Sequence, residues 1–319
     1  MDSRFSIGFF IFIVKNYSET ETSIMKKQTI FKGSGVAIIT PFKNDMIDYE
    51  AFGKIIEFQI ANKTDAIVVC GTTGESSTLT DEEHKDCIKF AVEKTAGRIP
   101  VIAGTGSNDT AYAVGLSKYA CDAGADALLL VTPYYNKANP KGLAANFKAV
   151  ADAVNKPIIL YNVPTRTGCN IPISVYKELA KHDNIAAVKE ASGNISQIVE
   201  VAAECGDSLD IYSGNDDHVV PVLSVGGVGV ISVLANIMPR ETRDMCQLWF
   251  DGKIKESADI QLKLLKLINN LFIEVNPIPV KTAMSLMNYC TGDLRLPLYE
   301  MDEANKNKLI ETMKFHKLI

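Results

Sequence analysis

Histidine is scarce in this chain, with 4 among 319 residues. No cluster of His, Asp and Glu stands at metal-ligand spacing, which argues against a metal centre. Cysteine occurs seven times (70, 87, 121, 169, 205, 246, 290), an odd number without a CxxC pair. That excludes a disulfide framework and a cysteine zinc site; it fits reduced thiols in a cytosol, mostly as small core residues. Basic runs are absent too. Lys+Arg total 33 against 38 Asp+Glu, a formal net charge of −5, so neither nucleic acid nor another polyanion is an expected partner. There is no GxGxxG fingerprint and no GK[ST] phosphate loop. Nor does any apolar run reach bilayer-spanning length, so no membrane association is expected.

What is present is a length and a composition suited to a large core. The 47% hydrophobic and 22% charged content is ordinary for a globular protein, and 319 residues fit two domains or one α/β barrel with an appendage. The first 24 residues stand apart. IGFFIFIV (7–14) follows Arg4, a weak signal-peptide pattern without an A-x-A-like cleavage site. The polar KNYSETETS then leads to Met25 and MKKQTIFKGSG, which reads as a natural start. Residues 1–24 are expected to be an N-terminal extension outside the fold.

From Gly35 onward short β-rich runs alternate with helical patterns. The strand candidates are GVAII (35–39), AIVVC (66–70), PVIAG (100–104), ALLLV (127–131), PIILY (157–161), IAAVK (185–189), LDIYS (209–213) and VGVIS (228–232). Each is apolar on both faces, as buried parallel strands are. Between them lie amphipathic segments with recognisable starts. Thr80 with Glu83 forms a capping-box pattern, Asn108 or Asp109 can cap the segment beginning at Thr110, and Pro140 and Pro172 suit first turns. Repeated βα units predict a (β/α)8 TIM barrel over 25–252. Helical stretches near 255–274, 279–290 and 302–316 predict a C-terminal helical subdomain over 253–319. A doubly wound open sheet is the alternative, disfavoured by the regular units and the missing fingerprint.

Chemistry in such barrels sits where strands end and βα loops begin. The polar residues after the apolar runs are Thr40-Pro41, Gly71-Thr72-Thr73-Gly74-Glu75, Thr105, Tyr134-Tyr135-Asn136, Tyr161-Asn162, Lys189-Glu190, Ser213-Gly214-Asn215 and Ser232. They include a single lysine, several hydroxyls and no histidine. A metal-free, cofactor-free mechanism built on an amine and hydroxyls follows.

Lys189 leaves one strand and Tyr161 leaves the preceding one, so the two lie side by side at one end of the barrel. A desolvated lysine has a lowered pKa and attacks a ketone to give an imine, while a neighbouring phenol moves protons. Glu190, next in sequence, is expected to push the amine's pKa the other way. Lys189 also fits a lysine snorkelling to water, and Tyr161 a rim aromatic. GTTGES (71–76) can form an anion-binding nest flanked by two hydroxyls, or a plain tight turn before a capped helix. Arg166 over the mouth can grip a carboxylate bidentately, or make a surface salt bridge.

GTTGES, VTPYYNK, YNVPTRTG, VKEASGN, SGNDD and NPIPVK, in this order and spacing, resemble the dihydrodipicolinate synthase family from about residue 29 to the end. The wider group, with N-acetylneuraminate lyase and sugar-acid aldolases, shares the barrel, the GxTGE turn, the tyrosine and the lysine. The arginine of YNVPxRTG and the double threonine point to the synthase branch. The resemblance implies a lyase that condenses pyruvate with aspartate-4-semialdehyde in lysine and diaminopimelate biosynthesis. Lys189 then corresponds to the Schiff-base lysine. Tyr161 corresponds to the proton donor/acceptor, coupled through the Thr73 hydroxyl to Tyr135 of a neighbouring subunit. Thr72 and Thr73 would hold pyruvate's carboxylate, with Ile231 lining the pocket, and Arg166 would bind the second substrate's carboxylate. The expected partner is a second copy, in a homotetramer built as a dimer of dimers in the cytoplasm.

Ser77, His84, Asn108 and Tyr134 fall where lysine-inhibited relatives bind lysine, but Tyr112 stands where those relatives place a glutamate. An ammonium buried without its carboxylate is costly, so weak or absent lysine inhibition is expected. The rival readings are a sister aldolase cleaving a sugar acid, an idle ligand-binding barrel, and a phosphate-binding barrel.

Overall fold

The computed structural model describes residues 27–319, so the expected extension 1–24 lies outside the described residues. Strand β1 (Gly33–Ala37) is followed by a short antiparallel hairpin, β2 (Phe42–Lys43) and β3 (Met46–Ile47). Then come β4 (Ala66–Val69), β5 (Val101–Gly104), β6 (Ala127–Val131), β7 (Ile158–Asn162), β8 (Ile185–Glu190), β9 (Asp210–Ser213) and β10 (Gly229–Ser232). Apart from the hairpin, the strands close into one parallel barrel in the order β1-β10-β9-β8-β7-β6-β5-β4. The open-sheet alternative is therefore excluded. Each barrel strand falls within two residues of its expected span. The largest offset is at β1, which starts at Gly33 rather than Gly35.

Period-two alternation divides the strand residues into two cores. One set, including Val68, Ile102, Leu129, Ile159, Ala187, Tyr212 and Ile231, fills the barrel interior. The other, including Ile67, Leu128, Leu160 and Val188, packs outward against the helices. The helices begin where the sequence signals place them. Thr80 accepts from Glu83 N while the Glu83 side chain returns to Thr80 N, completing the capping box. Asp109, not Asn108, caps Thr110–Asp122. Pro140 is the first residue of its helix, whereas Pro172 is the cap residue before Ile173.

Helix Pro239–Phe250 completes the eighth unit, and Ile254–Leu271, Ile278–Leu286 and Glu303–Phe315 follow. In Ile254–Leu271 the buried residues Ser257, Gln261, Leu264, Ile268 and Leu271 recur at helical spacing, so one stripe faces inward. All seven cysteines are free thiols; five are buried and Cys121 and Cys290 are half-buried. Among the described residues no helix is long and apolar enough to cross a membrane.

Candidate active site

Tyr161 and Lys189 are register partners on β7 and β8. Both side chains point into the barrel at the C-terminal ends of the strands, with exposures of 6% and 5%. Lys189 Nζ lies 4.3 Å from the centre of the Tyr161 ring. Among the described residues it takes part in no hydrogen bond or ion pair. The snorkelling alternative fails, because the amine stays in the interior.

Glu190 does not face that amine. As the next residue along a strand it faces the opposite side of the sheet, where it is fully buried. There it accepts from Asn162 Nδ2 at 3.0 and 3.1 Å, from the Tyr176 hydroxyl at 2.8 Å and from Ser192 N at 2.9 Å. The burial and the Glu190 charge push the Tyr176 phenol well above its ordinary pKa. The carboxyl that does feel Lys189 is Asp216. Burial raises its pKa, opposed by hydrogen bonds from Ser232, Leu234 and Val233 and by the charge of Lys189. Ser232 Oγ donates to Asp216 at 2.5 Å, and Val233 N and Leu234 N donate at 3.0 and 2.9 Å, so this carboxyl fixes the loop after β10 and with it Ile231.

The GTTGES turn follows β4. Gly74 N donates to Gly71 O and Glu75 N to Thr72 O, each at 3.1 Å. The N–H groups of Thr72 and Thr73 are left without a partner among the described residues, available for an anion. Cys70 (φ +55°) and Glu75 (φ +53°) bracket the turn in the left-handed region, a strained conformation for both. Thr40 Oγ1 ties the turn down by donating to Gly74 O at 2.7 Å. Beneath it passes Gly104, where a Cβ would lie 2.3 Å from Cys70 O, so only glycine fits.

Thr73 is 2% exposed and its Oγ1 accepts from Asn276 Nδ2 at 3.0 Å, while Thr72 is half-buried. Arg166 lies exposed in the single-turn helix Pro164–Thr167, and its Nη2 donates to Asn276 O at 3.1 Å. Ile231 is buried in the same interior cluster as Tyr161. Tyr135, with φ +68°, is 91% exposed and packs against almost nothing of its own chain. Lys189, Tyr161 and Ile231 are therefore brought together inside the barrel, and Thr72, Thr73 and Arg166 stand at its mouth, whereas Tyr135 projects away.

At the positions compared with a lysine site, His84 is buried and its Nε2 pairs with Gly104 O at 2.8 Å. Asn108 uses its carbonyl to accept from Asn136 Nδ2 at 2.9 Å; Tyr134 is half-buried and Ser77 exposed. Tyr112 contacts Asp81, and burial together with that carboxylate pushes its phenol up to about 12. The sequence reading gave no role to Asn276, Asp216 or the Lys281–Glu75 ion pair described below. The motif NPIPVK was visible, but nothing local indicates what it touches.

A closed parallel barrel carrying a buried lysine beside a tyrosine at the C-terminal ends of its strands defines a class: barrel lyases of the class I aldolase type. The sequence profile of the Dihydrodipicolinate synthetase family matches residues 30–316, and the chain belongs to that family. It is 58% identical over 292 residues to 4-hydroxy-tetrahydrodipicolinate synthase of Clostridium tetani, covering 91% of this chain and 99% of that protein. Its fold is similar to the crystal structure of dihydrodipicolinate synthase from Aquifex aeolicus (48% identity, TM-score 0.89, 90% and 99% of the two chains). It is also similar to the chloride-inhibited enzyme from Acinetobacter baumannii complexed with pyruvate (40% identity, TM-score 0.89, 91% and 100%).

Proposed function

We propose that this chain is a lyase that condenses pyruvate with L-aspartate-4-semialdehyde, the 4-hydroxy-tetrahydrodipicolinate synthase reaction of lysine and diaminopimelate biosynthesis. The observation that carries the mechanism is Lys189 Nζ set 4.3 Å from the Tyr161 ring inside the barrel. Pyruvate's carboxylate docks on the free Thr72 and Thr73 N–H groups, and its keto carbon meets the amine. Lys189 adds to that carbon, water leaves, and an iminium forms. Loss of a methyl proton gives the enamine, whose carbon attacks the aldehyde. Tyr161 supplies and removes protons in these steps, with Thr73 and the Tyr135 of a second copy as its relay. Arg166 binds the carboxylate of the semialdehyde. The substrate's own amine then displaces Lys189 and closes the ring. No metal or cofactor enters any step.

On this reading the protein acts in the cytoplasm as a homo-oligomer, a dimer of dimers, since Tyr135 is useful only to a neighbouring copy. Of the described residues, 27–252 form the barrel and 253–319 a helical subdomain that serves it. Lysine inhibits weakly or not at all. The neutral Tyr112 offers an ammonium no charge, and the Asp81 it contacts is already paired with Lys85 at 2.5 Å. Inhibition by micromolar lysine in steady-state assays contradicts this.

The deciding experiment measures turnover of pyruvate with aspartate semialdehyde, together with borohydride reduction of the pyruvate-loaded enzyme and mapping of the adduct. Turnover with the adduct on Lys189 is expected. An adduct on Lys189 without turnover keeps the imine chemistry and moves the protein to a sugar-acid acceptor. No adduct overturns the mechanism.

A further inference from the structure

The motif NPIPVK, Asn276 to Lys281, has no part in the chemistry above, yet both of its polar ends reach the GTTGES turn. Asn276 Nδ2 donates to Thr73 Oγ1 at 3.0 Å across a sequence separation of 203. Lys281 Nζ meets Glu75 Oε1 at 2.5 Å across a separation of 206. The motif thus grips the turn at Thr73 and at Glu75, on either side of Gly74. The backbone carbonyl of Asn276 accepts from Arg166 Nη2 as well, so one residue touches groups assigned to both substrates.

These contacts are of kinds that folding stability does not favour. The Lys281 and Glu75 side chains are 0% and 1% exposed, and a buried ion pair is generally matched or bettered by apolar residues of similar volume. The pair is nonetheless fully furnished. Lys281 Nζ also donates to Asp293 O at 2.6 Å and lies 4.0 Å from the centre of the Phe42 ring, while Glu75 Oε2 accepts from Arg295 N at 3.3 Å. Asn276 is 5% exposed and its Oδ1 is enclosed without a partner among the described residues, an arrangement that costs free energy. Glu75 itself holds the strained φ of +53°. Three costly features converge on one turn, and what they share is that they fix where Thr73 and its neighbours stand.

We propose that Asn276 and Lys281 are positioning residues. Reaching in from the C-terminal helices, they hold the pyruvate-binding turn in the orientation that presents the Thr72 and Thr73 N–H groups to the substrate carboxylate, and Asn276 ties that turn to Arg166. This rests on the reading of the turn as the pyruvate site.

The test is borohydride trapping of pyruvate on Lys189, titrated with pyruvate, alongside melting temperature and oligomeric state. Two variants are compared: Asn276→Ala, and the double change Glu75→Leu with Lys281→Met, which replaces the ion pair by apolar groups so that no lone charge is buried. Each is expected to raise the half-saturating pyruvate concentration at least 10-fold while melting within a few degrees of the wild type. In a Thr73→Val background Asn276→Ala should then add less than twofold, because the two residues act as one unit. Half-saturation within twofold of wild type in both variants, or additive effects of Asn276→Ala and Thr73→Val, overturns the proposal. A wild type that traps pyruvate beside variants that behave like it sinks this inference alone; a wild type that traps none sinks the underlying reading too.

Discussion

The two ends of the barrel solve opposite problems with similar residues. At the base, polar groups are spent. Lys27 Nζ donates to three carbonyls, of Ala180, His182 and Ile185, at 2.6, 2.7 and 2.6 Å. The Tyr212 hydroxyl donates to Phe31 O at 2.6 Å and accepts from Phe31 N at 3.2 Å, its ring stacked 4.3 Å from that of Phe31. Asp65 and Asp126 each accept a strand N–H, from Ser34 and Val101, at 2.8 Å. At the mouth, a lysine, a tyrosine and two backbone N–H groups are buried or half-buried with little to bind, and Cys70, Glu75 and Tyr135 hold positive φ. A lysine whose donors are all taken is a strut, whereas one held in the interior with none taken is, on the proposed mechanism, the reagent. On that proposal the contrast is one of a stabilising face and a reacting face.

Breaking the mouth should therefore remove activity and leave folding intact. Lys189→Ala carries the largest expected effect. It should lower kcat on the order of 10⁴-fold or more, abolish borohydride trapping and leave the melting temperature unchanged or raised, since a buried polar group without a hydrogen-bond partner is removed. Substantial residual turnover would break the comparison at its centre. Tyr161→Phe keeps the ring beside Lys189 and deletes only the hydroxyl. The expected loss is roughly 10²–10⁴-fold in kcat, read by steady-state assay, with trapping slowed but still located on Lys189. Arg166→Ala should act on one substrate. Losing a charge-assisted contact raises the KM for aspartate semialdehyde about 10- to 100-fold while pyruvate trapping stays at the wild-type level. An equal change in the pyruvate titration would show Arg166 acting through Asn276 on the turn instead.

Much of this was legible beforehand because the barrel strands are apolar on both faces, and a tyrosine and a lysine at successive strand ends must be neighbours in a parallel sheet. Where the reading slipped, local signals were missing or misweighed. Strand β1 begins with Gly33-Ser34-Gly35, which carry almost no hydrophobic signal. The reason is tertiary: a Cβ on Gly35 would lie 2.7 Å from the Phe31 ring, which already fills that space. Adjacency in sequence sets Glu190 beside Lys189, but period two puts successive strand residues on opposite faces. Asn276 and Lys281 were beyond reach because their partners lie 203 and 206 residues away. Contacts made across such distances leave no periodicity to read. Tyr135 marks the other limit, since its side chain is 91% exposed in its own chain and the role proposed for it depends on a second copy.

The smallest expected effect on activity lies at the base and sharpens the contrast from the other side. Lys27→Met keeps the length and most of the apolar stem but removes the three donors to Ala180, His182 and Ile185. The site is partly exposed, and burial already lowers the Lys27 pKa, opposed by Asp183. Water can therefore take over some of the abandoned carbonyls, and the net loss should be about 1–2 kcal/mol rather than the sum of three charge-assisted bonds. For a chain of this size that is a fall of about 2–4 °C in melting temperature. Both KM values and kcat should remain within twofold of wild type, because β8 is anchored again at its far end by pairing with β7 and β9. A tenfold fall in kcat with little change in melting would mean that the start of β8 transmits its position along the strand to Lys189. The base would then belong to the catalytic apparatus rather than to the scaffold alone.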